Sequence, residues 1–312
     1  MIVVRFTSGL GNQMFQYNLY SFLKERYPET EVRADITWFY TDDEHHGFEL
    51  RRIFENVPGS EFSLTEASAS EIYSTSGQIP TPVKGFLARP VRYLLGPVNR
   101  KLREAGKCER CGITYNQLEK SIDHDTVCNL DISRNIYIFG FFIEEAYYRD
   151  RIPALRRELV FPPMTGENAD IAHRMEEENS VSIHVRRGDY LSQTYSGRFL
   201  CLDRDYYEPA VAAVKEHIKD PVYYIFSEDA DYVREAFDWL PDKTIVDINK
   251  GTDSFRDMQL MTKCKANIIA NSTFSQWASI LNENPGHITV YPARYMADED
   301  TEVRTLPGWI RI

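Results

Sequence analysis

VSIHVRRGDY, residues 181–190, has the pattern of a buried parallel strand that leads into a polar loop. Its apolar residues alternate with Ser182, His184 and Arg186, so these three polar side chains share one face. Arg186 and Arg187 follow where the strand ends, which is where open α/β sheets bind their ligands. Guanidinium groups suit bidentate phosphate binding, so the stretch predicts a phosphate site. Arginines that pair with surface acids would give the same pattern, and that alternative stays open.

Strands and helices alternate regularly from this stretch to the end of the chain. The predicted strands are Val181–Val185, Val222–Phe226, Thr244–Ile248, Ala266–Ala270 and His287–Tyr291. The helices predicted between them are Tyr206–Ile218, Tyr232–Leu240, Phe255–Lys263 and Trp277–Asn282. Strand–helix repetition at this spacing predicts right-handed crossovers and a parallel, doubly wound sheet.

The first half of the chain begins in the same way. A strand is predicted over Ile2–Phe6, a turn over Ser8–Gly11 and a helix over Asn12–Arg26. Further predicted elements are a strand over Glu31–Ile36, a mixed helical stretch around Val91–Arg103, a strand over Asn135–Phe142 and a helix containing Tyr147, Tyr148 and Arg149. Pro162-Pro163 and Thr165-Gly166 mark a linker. We therefore expect an α/β protein with two Rossmann-like domains, residues 1–160 and 161–312, that face each other across a cleft.

Charge and composition exclude several classes of protein. The 312 residues include 36 basic and 47 acidic side chains, which give a net charge of −11. This balance argues against nucleic acid as a partner and against a polybasic membrane tether. No apolar run has the length of a membrane span, and no signal peptide is recognisable at the amino terminus. We expect a cytoplasmic protein, with peripheral association as the one membrane contact left open, and reduced thiols rather than a zinc knuckle at Cys108 and Cys111.

A glycine-containing turn, SGLGNQ at residues 8–13, joins the first strand to the first helix. Gly9 and Gly11 would let the backbone approach a ligand, and the helix amino terminus offers N–H groups to an anion. The turn lacks the third glycine of the dinucleotide fingerprint. Because Asp35 lies near the place of the acid that binds NAD, an NAD-dependent oxidoreductase stays open, as does a simple strand–helix turn in which Asn12 only caps the helix.

A third polar segment, ANSTFSQW at residues 270–277, directly follows a predicted strand. Ser272, Thr273 and Ser275 at the carboxyl end of a strand are well placed for a phosphate or a ribose. The alternative is helix capping, in which the hydroxyl oxygens accept from the first helical N–H groups.

Aspartate pairs of the form Asp-x-Asp occur four times, at 123/125, 203/205, 229/231 and 298/300. A metal-dependent transferase would use such a pair after a strand, as at Asp229 and Asp231. Acids are also favoured as caps and in the first turn of helices, and in so acidic a chain we interpret all four pairs in this way. No metal is expected.

The three motifs together resemble glycosyltransferase family 11, the α-1,2-fucosyltransferases that use GDP-fucose. The segments that carry the resemblance are residues 9–17 (GLGNQMFQY), 184–190 and 268–275, in the order and spacing of that family. The resemblance implies a GT-B fold, with residues 1–160 on the acceptor side and residues 161–312 binding GDP-fucose.

The resemblance also implies roles for individual residues. Arg186 would bind the diphosphate, Arg187 would assist or brace its loop, and His184 would lie near the guanine or ribose. Asn12 would reach the donor. The resemblance identifies no general base; Asp189 is the nearest acidic candidate in the sequence, unless it holds an arginine in place. The remaining donor-binding candidates are Gly9, Gly11, Gln13, Asp253, Asp257, Ser272, Thr273 and Ser275, with one of the two aspartates contacting guanine.

The implied reaction transfers L-fucose from GDP-β-L-fucose to a galactoside hydroxyl and forms an α-1,2 linkage with inversion. Arginine and backbone donors would stabilise the departing diphosphate without a metal. The donor nucleotide sugar and a galactoside or glycan acceptor are the expected partners. A fucosyltransferase of another linkage and a non-catalytic nucleotide-sugar binder are the alternatives. The sequence does not predict the acceptor, the oligomeric state or the role of Cys108 and Cys111.

Overall fold

Two parallel β-sheets organise the protein. The computed structural model describes residues 1–41, 46–84, 87–104, 113–116, 123–191, 197, 199–296 and 305–312. The chain divides into two units, Met1–Val160 and Phe161–Ile312, and each unit contains one of the sheets. The predicted α/β class with parallel sheets is confirmed.

The sheet of the first unit has the strand order β2–β1–β4–β3, and every pairing is parallel. Its strands are β1 (Ile2–Arg5), β2 (Val32–Asp35), β3 (Ile113–Asn116) and β4 (Ile136–Phe139). The helices of this unit are α1 (Leu10–Arg26), α2 (Leu50–Phe54), α3 (Ala69–Ser76), α4 (Ala88–Glu104), α5 (His124–Cys128) and α6 (Ile152–Glu158).

Helix α1 buries polar side chains together with its apolar ones. Gln16 and Asn18 have no exposed surface. The amide of Gln16 donates to the backbone oxygen of Gly140 at 3.0 Å, and that of Asn18 donates to Tyr147 at 2.8 Å. These bonds satisfy buried amides and tie α1 to the segment after β4.

The helix predicted around Tyr147, Tyr148 and Arg149 is wrong. The chain forms two 3₁₀ turns there, Glu145–Tyr147 and Arg149–Arg151, and the α-helix begins afterwards at Ile152. Pro153 explains the delay, since proline fits only the first turn of an α-helix.

The sheet of the second unit has the strand order β10–β9–β8–β5–β6–β7, again with parallel pairings. Its strands are β5 (Ser180–His184), β6 (Val222–Phe226), β7 (Lys243–Val246), β8 (Ala266–Ile268), β9 (Ile288–Tyr291) and β10 (Ile310–Arg311). Its helices are α7 (Glu167–Glu177), α8 (Arg204–Lys215), α9 (Ala230–Ala236), α10 (Phe255–Met261) and α11 (Thr273–Leu281).

The winding direction of this second sheet reverses between β5 and β8. From β5 the chain adds β6 and β7 on one side and then β8, β9 and β10 on the other. This is the Rossmann order, and it confirms the predicted doubly wound sheet. In such sheets the crevice at the reversal, outside the carboxyl ends of the strands, is the place where ligands bind.

Candidate functional site

The reversal between β5 and β8 brings two of the predicted motifs together. The arginine pair follows β5, and the polar segment Asn271–Ser275 follows β8. A ring nitrogen of His184, Nδ1, lies 2.9 Å from the hydroxyl oxygen of Ser275. The Tyr190 hydroxyl donates to the backbone oxygen of Asn271 at 2.6 Å. These two contacts hold the loops after β5 and β8 against each other.

Arg186 is a partly exposed arginine at this edge. Its side chain is 29% exposed, and its Nη1 lies 3.8 Å from Oε1 of Glu228. Its guanidinium carbon is 5.8 Å from the ring centroid of Tyr190. The distance to Glu228 exceeds that of a hydrogen bond, so the guanidinium has an electrostatic partner that a bound anion could replace.

Arg187 has a different environment from that of its neighbour. Its Nε donates to Oδ2 of Asp229 at 3.1 Å, and its guanidinium carbon lies 3.5 Å from the ring centroid of Tyr232. Its backbone N–H donates to Oε1 of Glu228 at 2.9 Å. Arg187 therefore has the surroundings of a bracing residue, and the surface-pairing alternative describes its side chain well.

Glu228 is the residue of this edge that sequence reasoning missed. It follows β6, the neighbour of β5, and its carboxylate reaches the backbone of Arg187 across Gly188. A Cβ atom built at Gly188 would lie 2.7 Å from Oε1 and 3.0 Å from Cγ of Glu228. The glycine is therefore needed for the close approach of this carboxylate. The sequence signal that could have identified Glu228 is an acid shortly after the predicted strand β6.

His184 is a neutral, buried residue. Burial, together with the nearby positive charge of Arg186, lowers the pKa of His184 to about 3. Its ring adds no charge at neutral pH, and its contact with Ser275 positions helix α11.

Helix α11 begins at the reversal with a capped first turn. Ser272 is its N-cap, since its hydroxyl oxygen accepts from the N–H of Phe274 at 3.3 Å. The Ser275 hydroxyl donates to the backbone oxygen of Ser272 at 3.3 Å. Within the described ranges, the hydroxyl of Thr273 makes no hydrogen bond. Helix capping therefore explains the presence of Ser272, and the Ser275 hydroxyl is bonded within the protein. The amino terminus of α11 still presents the positive end of the helix dipole at this edge.

The two candidate guanine partners lie beyond β7, at the same edge of the sheet. Asp253 is exposed and ends a 3₁₀ turn, Gly251–Asp253. Asp257 accepts from Nδ2 of Asn249 at 2.8 Å. Burial raises the pKa of Asp257 to about 7, and the charges of Asp247 and Glu228 act in the same direction. Asp257 therefore changes charge close to neutral pH.

In the turn between β1 and α1, the residue with a positive φ is a serine and not a glycine. Ser8 has the positive φ of 67°, whereas Gly9 has a φ of −72° that any residue can adopt. The amide nitrogen of Gln13 donates to the backbone oxygens of Ser8 at 2.8 Å and Gly47 at 3.0 Å. Its oxygen accepts from the N–H of Glu49 at 2.9 Å. The side chain of Gln13 thus joins this turn to a distant loop.

Asn12 lies in the first turn of α1. The N-cap of this helix is Gly9, which makes no side-chain cap, and Asn12 is the third helical residue. Its side chain is partly exposed, and it forms no hydrogen bond with any residue that the structure describes. The capping alternative for Asn12 is therefore wrong. Gly11 is buried within the same turn.

The aspartate pairs that the structure describes act as caps, as predicted. Asp123, Asp203 and Asp229 each accept from a backbone N–H in the first turn of the helix that follows them. Asp298 and Asp300 lie outside the described residues, as do Cys108 and Cys111.

Two further residues from the sequence analysis are Asp35, of the NAD alternative, and Asp189, the candidate base. Asp35 accepts from the hydroxyl of Tyr137 at 2.7 Å and from the N–H and hydroxyl of Thr37, so the acid of the NAD alternative is already used within the fold. Asp189 lies in the 3₁₀ turn Gly188–Leu191, and its side chain is outside what the structure describes.

No helix among the described residues combines the length and the apolar character needed to cross a membrane.

Known proteins resemble this chain over most of its length. A sequence model of the family described as Glycosyl transferase family 11 matches residues 113–312, more than half of the chain. The O-antigen biosynthesis glycosyltransferase WbnK and an alpha-1,2-colitosyltransferase, both from Escherichia coli, are each 26% identical to it. The first alignment covers 98% of both chains, and the second covers 96% of this chain and 94% of the relative.

A rabbit (Oryctolagus cuniculus) galactoside alpha-(1,2)-fucosyltransferase 2 is 31% identical over 42% of this chain and 39% of its own. Among solved structures, the fucosyltransferase NodZ from Bradyrhizobium aligns with a TM-score of 0.50 at 15% identity. That alignment covers 90% of this chain and 92% of NodZ, and it shows a shared fold.

Proposed function

Because this chain belongs to glycosyl transferase family 11, we propose that it transfers L-fucose from GDP-β-L-fucose to a galactoside hydroxyl. The proposed product is an α-1,2 linkage, formed with inversion and without a metal. The names of the relatives support the linkage, since the colitosyltransferase and the rabbit fucosyltransferase are both α-1,2 enzymes by name. The proposed arrangement is GT-B, with the first Rossmann-like domain on the acceptor side.

One observation gives the main support for the proposed donor site. Arg186 and the amino terminus of α11 lie at the place in the second sheet where the winding reverses. A diphosphate there would receive two parallel hydrogen bonds from the guanidinium and further bonds from N–H groups of the first helical turn. Thr273 would add its hydroxyl. The anion would take the place of Glu228 as the partner of Arg186.

The chemical step places most of its charge change at this site. Attack of the acceptor oxygen on fucose C1 breaks the bond to the β-phosphate, and negative charge grows on GDP as it leaves. Donors that are already fixed stabilise that charge, and each contributes about 3 kcal/mol in the transition state. The Asp-x-Asp pairs that the structure describes serve as caps, so the proposal assigns the charge stabilisation to Arg186 and the helix dipole. Asp189 is the proposed base that takes the acceptor proton.

The other candidate residues have supporting roles in this proposal. Arg187 and Glu228 hold the loop that presents Arg186, and neutral His184 fixes the start of α11. Asp257, or Asp253 beside it in the chain, accepts from the N1–H and amino group of guanine. Asn12 bonds fucose or the β-phosphate from the first unit, and its partly exposed amide, which bonds none of the described residues, supports this role. Gln13, Gly9 and Gly11 shape the turn that carries it.

A second donor deserves a direct comparison because a relative aligned over nearly the whole chain is named an alpha-1,2-colitosyltransferase. Colitose is fucose without its 3-hydroxyl group. A site built to bond that hydroxyl rejects the deoxy sugar strongly, whereas an apolar surface does not. The ratio of kcat/KM for the two activated sugars therefore identifies the physiological donor class.

The test is an acceptor screen with GDP-fucose in excess EDTA, in which released GDP is measured. We expect release that depends on an added galactoside, and NMR of the product should show an α-fucosyl group on the 2-hydroxyl. A product with another linkage would refute the α-1,2 assignment. GDP binding with no turnover on any acceptor would favour the non-catalytic binder.

A further inference from the structure

Helix α4 is strongly basic in an acidic protein. Its 17 residues contain one acid, Glu104, and five basic residues: Arg89, Arg92, Arg100, Lys101 and Arg103. The segment thus carries a net charge of +4, whereas the whole chain carries −11. The net charge of the whole chain therefore does not by itself exclude a basic membrane-binding segment, because the positive charges are concentrated in one helix.

One side of α4 fastens it to the first unit. The residues on this side recur at three- and four-residue spacing and are buried or half-buried: Ala88, Val91, Leu95, Asn99 and Leu102. The Asn99 side chain donates to the backbone oxygen of Ile79 at 2.9 Å and accepts from its N–H at 2.8 Å. Arg92 donates to the hydroxyl of Thr41 at 2.6 Å. The rest of the helix surface faces outward.

The outward surface carries an apolar flank. Leu94 is 70% exposed and Val98 is 43% exposed, and Leu87, just before the helix, is 56% exposed. These positions differ by four and seven residues, which places them on one flank of the helix. Tyr93 is 84% exposed. Among the described residues, the other exposed large apolar side chains are Tyr73, Ile132 and Leu191, so α4 holds the main concentration of them.

The opposite flank is cationic. Arg89, Arg92 and Arg100 line a shallow groove of about 670 Å³ together with Tyr93 and Thr41 at its wall. An apolar flank beside an arginine flank, with a tyrosine between them, is the composition of helices that lie in the plane of a membrane surface. Arginine side chains there contact headgroup phosphates while their aliphatic parts cover apolar surface.

We propose that α4 docks the protein onto the surface of an anionic phospholipid bilayer. Leu87, Leu94 and Val98 enter the boundary between headgroups and acyl chains, and the arginines of the groove bind lipid phosphates. Charge complementarity favours this partner, because an anionic bilayer attracts the basic helix α4. The same bilayer repels the rest of the acidic protein, so α4 is the part that makes contact. The proposal is independent of the reaction assigned above.

Vesicle flotation tests the proposal on the full chain. We expect the protein to float with vesicles of phosphatidylcholine containing 30% phosphatidylglycerol, to stay behind with pure phosphatidylcholine, and to be released by high salt. In a Tyr93→Trp variant, a new tryptophan at the exposed position should shift its emission to shorter wavelength when anionic vesicles are added.

Two matched pairs of variants locate the contact. Val98→Glu should abolish flotation, whereas Ile132→Glu should not, although both positions are 43% exposed in the wild type. Arg89→Gln with Arg100→Gln should weaken partitioning about 30-fold, since each basic residue near the surface contributes about fivefold. Arg134→Gln with Arg157→Gln removes the same charge elsewhere on this unit and should have little effect. Melting temperature and GDP affinity serve as checks that each variant is folded.

Several results would overturn the proposal. They are failure of the wild type to float with anionic vesicles, equal flotation with pure phosphatidylcholine, or equal behaviour within either matched pair. Reversible dimerisation without lipid that Val98→Glu abolishes would assign this face to a second copy of the chain instead.

Discussion

At the scale of single residues, two adjacent arginines have different surroundings. Arg187 is held by Asp229 and by the ring of Tyr232, while Arg186 retains a distant electrostatic partner in Glu228. The residue pattern predicted both as anion-binding candidates, and only the family resemblance suggested that Arg187 assists or braces the loop. Their partners lie about forty positions along the chain, after the neighbouring strand, so the local sequence alone does not distinguish their roles.

Gly188 is predicted to control the position of the Glu228 carboxylate. In Gly188→Ala the new methyl group would lie 2.7 Å from Oε1 of Glu228, so this carboxylate must move away from the Arg187 N–H. We expect a loss of about 1 kcal/mol in the free energy of unfolding, which is the contribution of the hydrogen bond that the carboxylate gives up, and a higher KM for GDP-fucose. Combining it with Glu228→Ala should give less than the sum of the two effects. Strictly additive losses in a double-mutant cycle would contradict the contact.

Asp257 is predicted to make both stability and nucleotide binding depend on pH. Its folded pKa is about 7, above its ordinary value of 3.8, so between these values the folded state binds more protons than the unfolded state. The contribution of Asp257 to stability is therefore largest in acid and falls as pH rises from about 4 to 7. Guanine needs the ionised carboxylate, so GDP affinity should rise through pH 7. Titrations of wild type and Asp257→Asn by calorimetry and thermal melting check both trends; an unchanged pH profile in the variant would exclude this residue.

At the scale of elements, the first turn of α1 contains a residue with a structural role, Gln13, and a residue with a proposed functional role, Asn12. Gly9 is the N-cap, and the Asn12 side chain is partly exposed without a hydrogen bond to the described residues. We expect Asn12→Ala to keep its melting temperature and its GDP affinity while kcat falls at least tenfold, because the proposed contact strengthens as the glycosidic bond breaks. Gln13→Ala is the contrasting variant, since loss of its three internal bonds should lower the melting temperature. Normal kcat in Asn12→Ala would remove this residue from the donor site.

Sequence patterns predicted the elements with strong periodicity and missed those defined by distant contacts. Alternation in residues 181–185 and the repeated strand–helix spacing after it predicted the Rossmann sheet, because a buried parallel strand needs β-rich apolar residues in a short run. Strand β10 has only two residues, too few to show a period, and β3 was also missed. The arginine loop and the start of α11 were predictable from their place after strands. Glu228 was not, because its contact depends on which strand lies beside β5.

At the scale of the whole molecule, the distribution of charge matters more than its sum. A net charge of −11 coexists with a +4 helix and with an arginine at the end of a parallel strand. An anionic donor sugar must therefore be bound by local groups that act against the overall field.

Metal independence is predicted for the reaction of the intact protein. Asp123, Asp203 and Asp229 are occupied as helix caps, and Asp229 also pairs with Arg187, so the proposal leaves charge stabilisation to Arg186 and α11. Turnover should be the same in excess EDTA and in buffer with magnesium or manganese. Activity that disappears in EDTA and returns with either ion would reassign the diphosphate to a metal.

The central claim is that Arg186 binds the diphosphate at the β5–β8 reversal, and kinetics of Arg186→Lys beside Arg134→Lys test it most directly. A lysine keeps the charge but cannot make the paired hydrogen bonds. The transition state should lose about 2–4 kcal/mol of stabilisation, so kcat/KM for GDP-fucose should fall about 30- to 1000-fold. The melting temperature should change little, because a lysine keeps the positive charge that lies near Glu228. Arg134→Lys, an exposed control on the first unit, should behave as the wild type. Equal kcat/KM in the two variants would contradict the account.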